Sequence, residues 1–355
     1  MQIQEPKGAC PSLLDDPFAL TRPAEFAALP LPGPPRLLIV VDTEETFDWS
    51  APFDRSATNT HAMSEVGRGQ ALCDAVGLAP TYVVDYPVAS DARAMEELSR
   101  YAKEGRATIG AHLHGWVCPP FEEDVTAANS YQGNLPPTLE KRKLQFLCDR
   151  IADSSGNRPI VHKAGRYGFG WGTAATLIEL GFAVDMSATP GFDLTGDGGP
   201  NHETVSNAPM WLDADRDLLC IAGTGAFVGG LRAFGPGLRR VSENPAGRMV
   251  RAGGVLSRLG LMERIRLSPE GFNLNEMKRL TYSLLARGEK VFTLTYHSPS
   301  LAVGCTPYVR DKQDLKNFLS TLENYYSFFF EELDGQSATP LGLLAEIRSV
   351  EEAGS

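Results

Sequence analysis

Arg36-Leu-Leu-Ile-Val-Val-Asp42, running on into Thr43-Glu44-Glu45, is the stretch that decides the fold. An unbroken apolar run bounded by charge reads as a buried β-strand. Two more runs end in comparable chemistry. Thr108-Ile-Gly-Ala-His-Leu-His114 leads into Gly115-Trp116, and Val291-Phe-Thr-Leu-Thr-Tyr-His297 finishes on a lone histidine. Side chains two apart on a strand share a face, so His112 and His114 can converge on one metal ion while Leu113 turns into the core. Acids, paired histidines and a single histidine, each at the C-terminal end of a buried strand, point to a metal-dependent hydrolase.

Between these strands the pattern changes period. Helices are expected over about 63–76, 91–103, 138–154, 173–180, 274–287 and 311–333, and further strands over 81–85, 159–163 and 182–186. Alternation of strand and helix implies an α/β fold of parallel strands with helical crossovers, and such folds carry their sites just past the strand ends. Residues 188–272 are irregular and Gly-rich. They read as an insertion with a small sheet around Met210–Leu212 and Leu218–Ile221. A Pro-rich N-terminal arm over 1–35, a main domain over 36–335 and a C-terminal tail over 336–355 complete the division.

The 355 residues are 43% hydrophobic and 22% charged, the balance of a globular chain able to bury a full core. No window approaches the roughly 20 apolar residues of a membrane span. The start, Met1-Gln-Ile-Gln-Glu-Pro-Lys-Gly8, lacks the features of a secretory signal. Six cysteines, at 10, 73, 118, 148, 220 and 305, form no Cys-x-x-Cys pair. That suits a reduced cytoplasm. The net charge of −11 argues against a nucleic-acid partner. Against that background, residues 231–266 carry eight arginines and two glutamates. They form either a solvated face or a patch for an anionic substrate or a lipid surface.

Neutral imidazole suits Zn²⁺ and similar ions, and a carboxylate can complete the set. Asp42 and Glu44 are the candidates for the third ligand. A hydrolytic site also needs a free carboxylate as base, so the Asp-Thr-Glu run can supply both, with Asp48 in reserve. His297 could protonate a leaving amine or alkoxide. Lys163-Ala-Gly-Arg166-Tyr167-Gly168 offers two cations, of which Arg166 could orient the base and either could pair with Asp185. Trp116, Phe121, Tyr131 and Trp171 are loop aromatics able to stack on a sugar ring. His61, His162 and His202 read as structural, and Cys118 as a small buried hydrophobe.

Taken in order, five motifs resemble the polysaccharide deacetylase superfamily (NodB homology, carbohydrate esterase family four), in particular its divergent WalW-like branch. They are Val41-Asp-Thr-Glu-Glu-Thr-Phe-Asp-Trp49, Ile109-Gly-Ala-His-Leu-His-Gly-Trp-Val-Cys-Pro-Pro120, Lys163–Gly168, Asp185-Met-Ser187 and His297-Ser-Pro-Ser-Leu301. The resemblance implies a distorted (β/α)-barrel of about seven parallel strands. It implies Asp42 as catalytic base, Glu44, His112 and His114 as metal ligands, and His297 as general acid. Three departures from the commoner motifs stand out. Thr43 separates the two acids, Trp116 occupies the usual place of the second histidine, and Lys163 replaces an arginine.

The expected protein is a cytoplasmic deacetylase using a divalent metal, zinc first, with cobalt, nickel or manganese as alternatives. It would remove an N-acyl group, acetyl above all, from an amino sugar or polysaccharide precursor. Asp42, His297 and Arg166 would be catalytic, and Trp116, Tyr167, Lys163 and Asp185 would contact substrate. Two other readings use the same residues: a hydrolase of a small amide or O-acetyl ester, and a catalytically silent carbohydrate-binding or scaffold protein. The oligomeric state is open.

Overall fold

The computed structural model describes residues 31, 33–170, 172–243 and 260–354. Trp171, nearly all of the expected N-terminal arm and the middle of the arginine-rich stretch lie outside them. Among the described residues no helix is long and apolar enough to cross a membrane.

The opening apolar run forms β1 (Arg36–Thr43), buried along its whole length. The strands that follow are β2 (Thr81–Val84), β3 (Thr108–Leu113), β4 (Val161–Ala164), β5 (Val184–Asp185), β6 (Met210–Trp211), β7 (Leu219–Cys220), β8 (Gly225–Val228), β9 (Glu263–Arg266), β10 (Val291–His297) and β11 (Gln336–Ser337). The main sheet runs β10-β1-β2-β3-β4-β5-β7-β6, with β11 also beside β1. From β10 to β7 every neighbour pair is parallel, which gives the seven parallel strands expected; only β6 is antiparallel. Helices including Ala92–Lys103, Pro137–Ser155, Leu274–Leu285 and Lys312–Ser327 flank the sheet.

The sheet curls into a half-barrel. In a flat sheet β1 and β4 would lie three spacings apart, about 14 Å. Yet Asp42 on β1 and Lys163 on β4 form a buried ion pair. The face carrying both side chains is therefore concave, and the C-terminal strand ends converge on it.

Two expectations are corrected. The small sheet placed in the 188–272 insertion is not separate. The amide of Leu219 donates to Ala183 and that of Ile221 to Asp185, so β7 extends the main sheet and covers an edge that β5 would otherwise expose. The independent pair in this region is β8–β9. The tail expected over 336–355 is also structured. β11 pairs with the start of β1, and a helix follows over Pro340–Gly354. The Thr339 hydroxyl accepts from the Gly342 amide at its start, and Leu343, Leu344 and Ile347 share a core cluster with Leu38, Val40 and Trp211. The helix thus seals the second face of the sheet. Ile347→Ala is expected to cost about 2–5 kcal/mol, the range for truncating a fully buried aliphatic side chain. Urea unfolding of the variant measures it.

Candidate active site

Strand register decides which side chains meet. Asp42 pairs with His297 across β1–β10, and His112 with Lys163 across β3–β4. The β1–β2 and β2–β3 registers carry Asp42 through Val83 to Gly110, two residues before His112. A period of two keeps Asp42, His112, Lys163 and His297 on one face, and Glu44, two past Asp42, follows them.

Glu44 Oε2 lies 3.5 Å from His112 Nε2 and 3.3 Å from His114 Nε2. Metal–donor bonds of about 2.0–2.1 Å in a tetrahedron set donors about 3.3–3.4 Å apart, so the spacing suits a zinc-sized ion. The remaining ring nitrogens are committed elsewhere. His112 Nδ1 donates to the Lys163 carbonyl and His114 Nδ1 to Glu45 Oε2, each at 2.9 Å. Those bonds fix the tautomers that leave both Nε2 lone pairs facing Glu44. Burial lowers the pKa of both imidazoles and so favours the neutral, ligating form. Burial pushes Glu44 up to about 7 against the pull of His297 and His114. His114 Nε2 is buried with no hydrogen-bond partner. An orphaned ring nitrogen beside a buried acid is the pattern a cation would satisfy, and the three residues could hold one.

Gly165 makes room for this arrangement. A Cβ there would stand 2.5 Å from His114 Cδ2 and 2.4 Å from the Leu113 carbonyl, so a larger residue would displace the ring. Glu45 was not singled out in the sequence, where it looks like the end of an acid run. Its place behind His114 makes it the orienting carboxylate. Glu45→Ala is expected to weaken metal binding by about 10–100-fold, the cost of losing such an outer hydrogen bond. Competition with a chromophoric chelator measures that loss.

Asp42 stands beside the donors. Burial works to raise its pKa, but Lys163, His112 and His297 outweigh it and hold the carboxyl down to about 2. Lys163 occupies Oδ2, while Oδ1 is buried and unpartnered. His297 Nε2 is 3.6 Å from Asp42 Oδ2, and its Nδ1 lies 2.6 Å from Glu270 Oε2. Burial disfavours the imidazolium, but Glu270, Glu44 and Asp42 raise its pKa well above the ordinary value. Glu270 also accepts from the His297 amide and the Ser300 hydroxyl, so it fixes the whole strand end. It lies inside the irregular insertion, and nothing local in the sequence ties it to His297.

A cavity of about 200 Å³ opens on Asp42, Glu44, His112, His114 and His297, with Trp49, Tyr131, Arg166 and Tyr167 among its walls. Other expected contacts lie elsewhere. Arg166 does not orient Asp42. It and Tyr167 both adopt left-handed backbone, φ 55° and 59°, and the sharp turn carries Arg166 to Ser130 and Asp197 and onto the Tyr131 ring. Lys163, still in the strand, pairs with Asp42 instead. Asp185 is 0% exposed and bonds to His162 and Ser187, not to either cation. Trp116 is 2% exposed and stacks on His114 at 4.3 Å, so it braces that imidazole rather than facing the cavity. Trp49, 45% exposed on the rim, is an accessible aromatic of this cavity. Phe121 is exposed and packs near Arg55 and Lys143. The Cys118 thiol donates to the Lys143 carbonyl, as a buried structural cysteine does. Within the arginine-rich stretch, Arg239 pairs with Asp193 and Glu203, and Arg264 and Arg266 lie over Phe192.

The curled sheet with its site at the strand ends is the fold of the NodB-like polysaccharide deacetylases. A candidate polysaccharide deacetylase from Mycobacterium smegmatis superposes with a TM-score of 0.50 at 15% identity, covering 91% of this chain and 94% of its own. One from Pseudomonas aeruginosa PAO1 gives 0.51 at 15% identity, over 89% and 91%. A candidate glycoside hydrolase/deacetylase from Parabacteroides distasonis gives 0.51 at 11% identity, over 90% and 73%. No family model and no curated protein matches the sequence. At these identities the likeness carries the fold and not a branch within it.

Proposed function

We propose that this protein is a divalent-metal-dependent hydrolase that removes an N-acyl group, acetyl in the first instance, from an amino sugar or a polysaccharide precursor. The observation that carries the proposal is the convergence of Glu44, His112 and His114, with Asp42 and His297 beside them on one cavity. Glu44, His112 and His114 would hold the ion. Bound there, a divalent ion supplies the Lewis acidity that polarises an acyl carbonyl and makes a water acidic enough for so weak a base as Asp42.

The chain's own groups divide the proton work. Asp42 is ionised and has a free, buried Oδ1 with which to take a proton from the attacking water, while Lys163 keeps the carboxylate from rotating. His297 is held protonated by Glu270 and gives its Nε2 proton to the departing amine. Trp49, exposed on the rim, offers a ring face on which a pyranose can lie. Acetate release from a panel of N-acetylated sugars, with Zn²⁺, Co²⁺, Ni²⁺ and Mn²⁺ supplied in parallel, tests the assignment. Turnover of an N-acetyl sugar supports it. Turnover of only small amides or aryl acetates moves the substrate away from sugars, and sugar binding without acyl release from any substrate overturns the hydrolase.

A further inference from the structure

Cys305 lies in the loop after β10 and meets a histidine from a distant part of the chain. Its Sγ is 3.2 Å from His61 Nε2. On the other side of the ring, His61 Nδ1 is 2.9 Å from Asn59 Oδ1, and the His61 backbone N–H donates to the same oxygen at 3.0 Å. The backbone N–H can only donate, so it fixes the Asn59 oxygen, not its NH₂, toward the ring. Nδ1 must then carry the ring proton, and Nε2 presents its lone pair to the thiol. Thiol, base and orienting amide stand in the order that activates a nucleophile.

The site is also reachable. Cys305 lines two adjoining cavities of about 530 and 180 Å³ beside Trp49 and Pro307. Cys73, Cys118, Cys148 and Cys220 are each 0% exposed, against 9% for Cys305, and His61 lies at the surface. Asp48, on the wall of the larger cavity, favours a cationic visitor over an anionic one.

We propose that Cys305, His61 and Asn59 form a thiol-modification site that takes small cationic disulfides into mixed-disulfide linkage. Burial pushes the thiol above its ordinary pKa. The proton therefore leaves in the act of attack, to the Nε2 already in place. The Cys305 sulfur attacks one sulfur of R–S–S–R, that S–S bond breaks, and Cys305–S–S–R forms. The departing R–S⁻ takes the proton back from His61 and leaves as R–SH. Cys305 sulfur is oxidised, the departing sulfur is reduced, and the disulfide is the only oxidant.

The test uses the full chain, cystamine as the cationic probe and oxidised glutathione as the anionic one, with the modified cysteine located by peptide mass mapping. Cystamine is expected to label Cys305 before Cys73, Cys118, Cys148 and Cys220, and faster than glutathione does. His61→Ala, which removes an exposed side chain and should unfold at the wild-type temperature, is expected to slow labelling of Cys305 by about 10-fold or more. Asn59→Ala should slow it less. Labelling of Cys305 at the same rate with and without His61 overturns the proposal, as does slower labelling of Cys305 than of Cys73, Cys118, Cys148 or Cys220. A faster reaction with the anionic probe overturns the assigned disulfide class.

Discussion

Asp42→Asn is expected to lower turnover by about 10²-fold or more while the protein keeps its metal. The substitution preserves shape and removes the proton acceptor. Oδ2 is held by Lys163, Oδ1 is buried with nothing bonded to it, and the carboxyl is ionised because the cations around it outweigh its burial. The variant leaves Lys163 buried without its anion, and breaking a buried pair in this way typically costs about 3–5 kcal/mol. Thermal unfolding therefore accompanies the rate measurement. A folded, metal-replete and slow Asp42→Asn is the expected result, and wild-type turnover would remove Asp42 from the chemistry.

Glu44→Ala is expected to fail differently, by losing the metal. With Glu44 gone, two imidazoles remain, and two donors do not make the three-ligand set of a catalytic zinc site. The loss should exceed the about 10–100-fold expected from an outer partner such as Glu45. The same substitution removes a buried carboxyl that burial pushes up to about 7, so the apo protein should gain stability or stay level while the metal-supplemented protein loses it. Unfolding midpoints with and without added Zn²⁺ measure that crossing. Equal metal-induced stabilisation in wild type and variant would exclude Glu44 as a ligand.

Much of this was legible in the chain because the site is written on strand ends. Strands buried on both faces appear as continuous apolar runs, so β1, β3 and β10 announce themselves. The polar residues that interrupt such runs, Asp42, His112, His114 and His297, then stand out. A period of two is enough to place the histidine pair on one face. What hid from the sequence is what depends on curl and on long-range partners. Glu270 reaches His297 from 27 residues upstream, across the helix Leu274–Leu285, with no local pattern to mark it. The sequence favours Arg166 as the partner of Asp42 because arginine forks onto carboxylates. The left-handed turn at residues 166 and 167 aims it at Ser130 and Asp197, and the in-strand Lys163 reaches Asp42 instead. Trp116 has the look of a sugar platform, yet the sheet curls it under His114.

The C-terminal helix carries its signals in the sequence. Thr339 followed by Pro340 is a start signal, and Leu343, Leu344 and Ile347 keep helical spacing. Its position near the chain end made it look like a tail. β6 and β7 show the opposite case. Their apolar runs were seen, but two-residue strands carry no directional signal, and only the unpaired edge of β5 decides where they dock.

The proposed mechanism divides its labour between two acids two residues apart, Asp42 and Glu44. Metal content of purified Asp42→Asn and Glu44→Ala, expressed with supplemented metal and read by mass spectrometry, tests it most directly. A metal-replete Asp42→Asn beside a metal-free Glu44→Ala is the predicted result. A metal-free Asp42→Asn beside a metal-replete Glu44→Ala would contradict it.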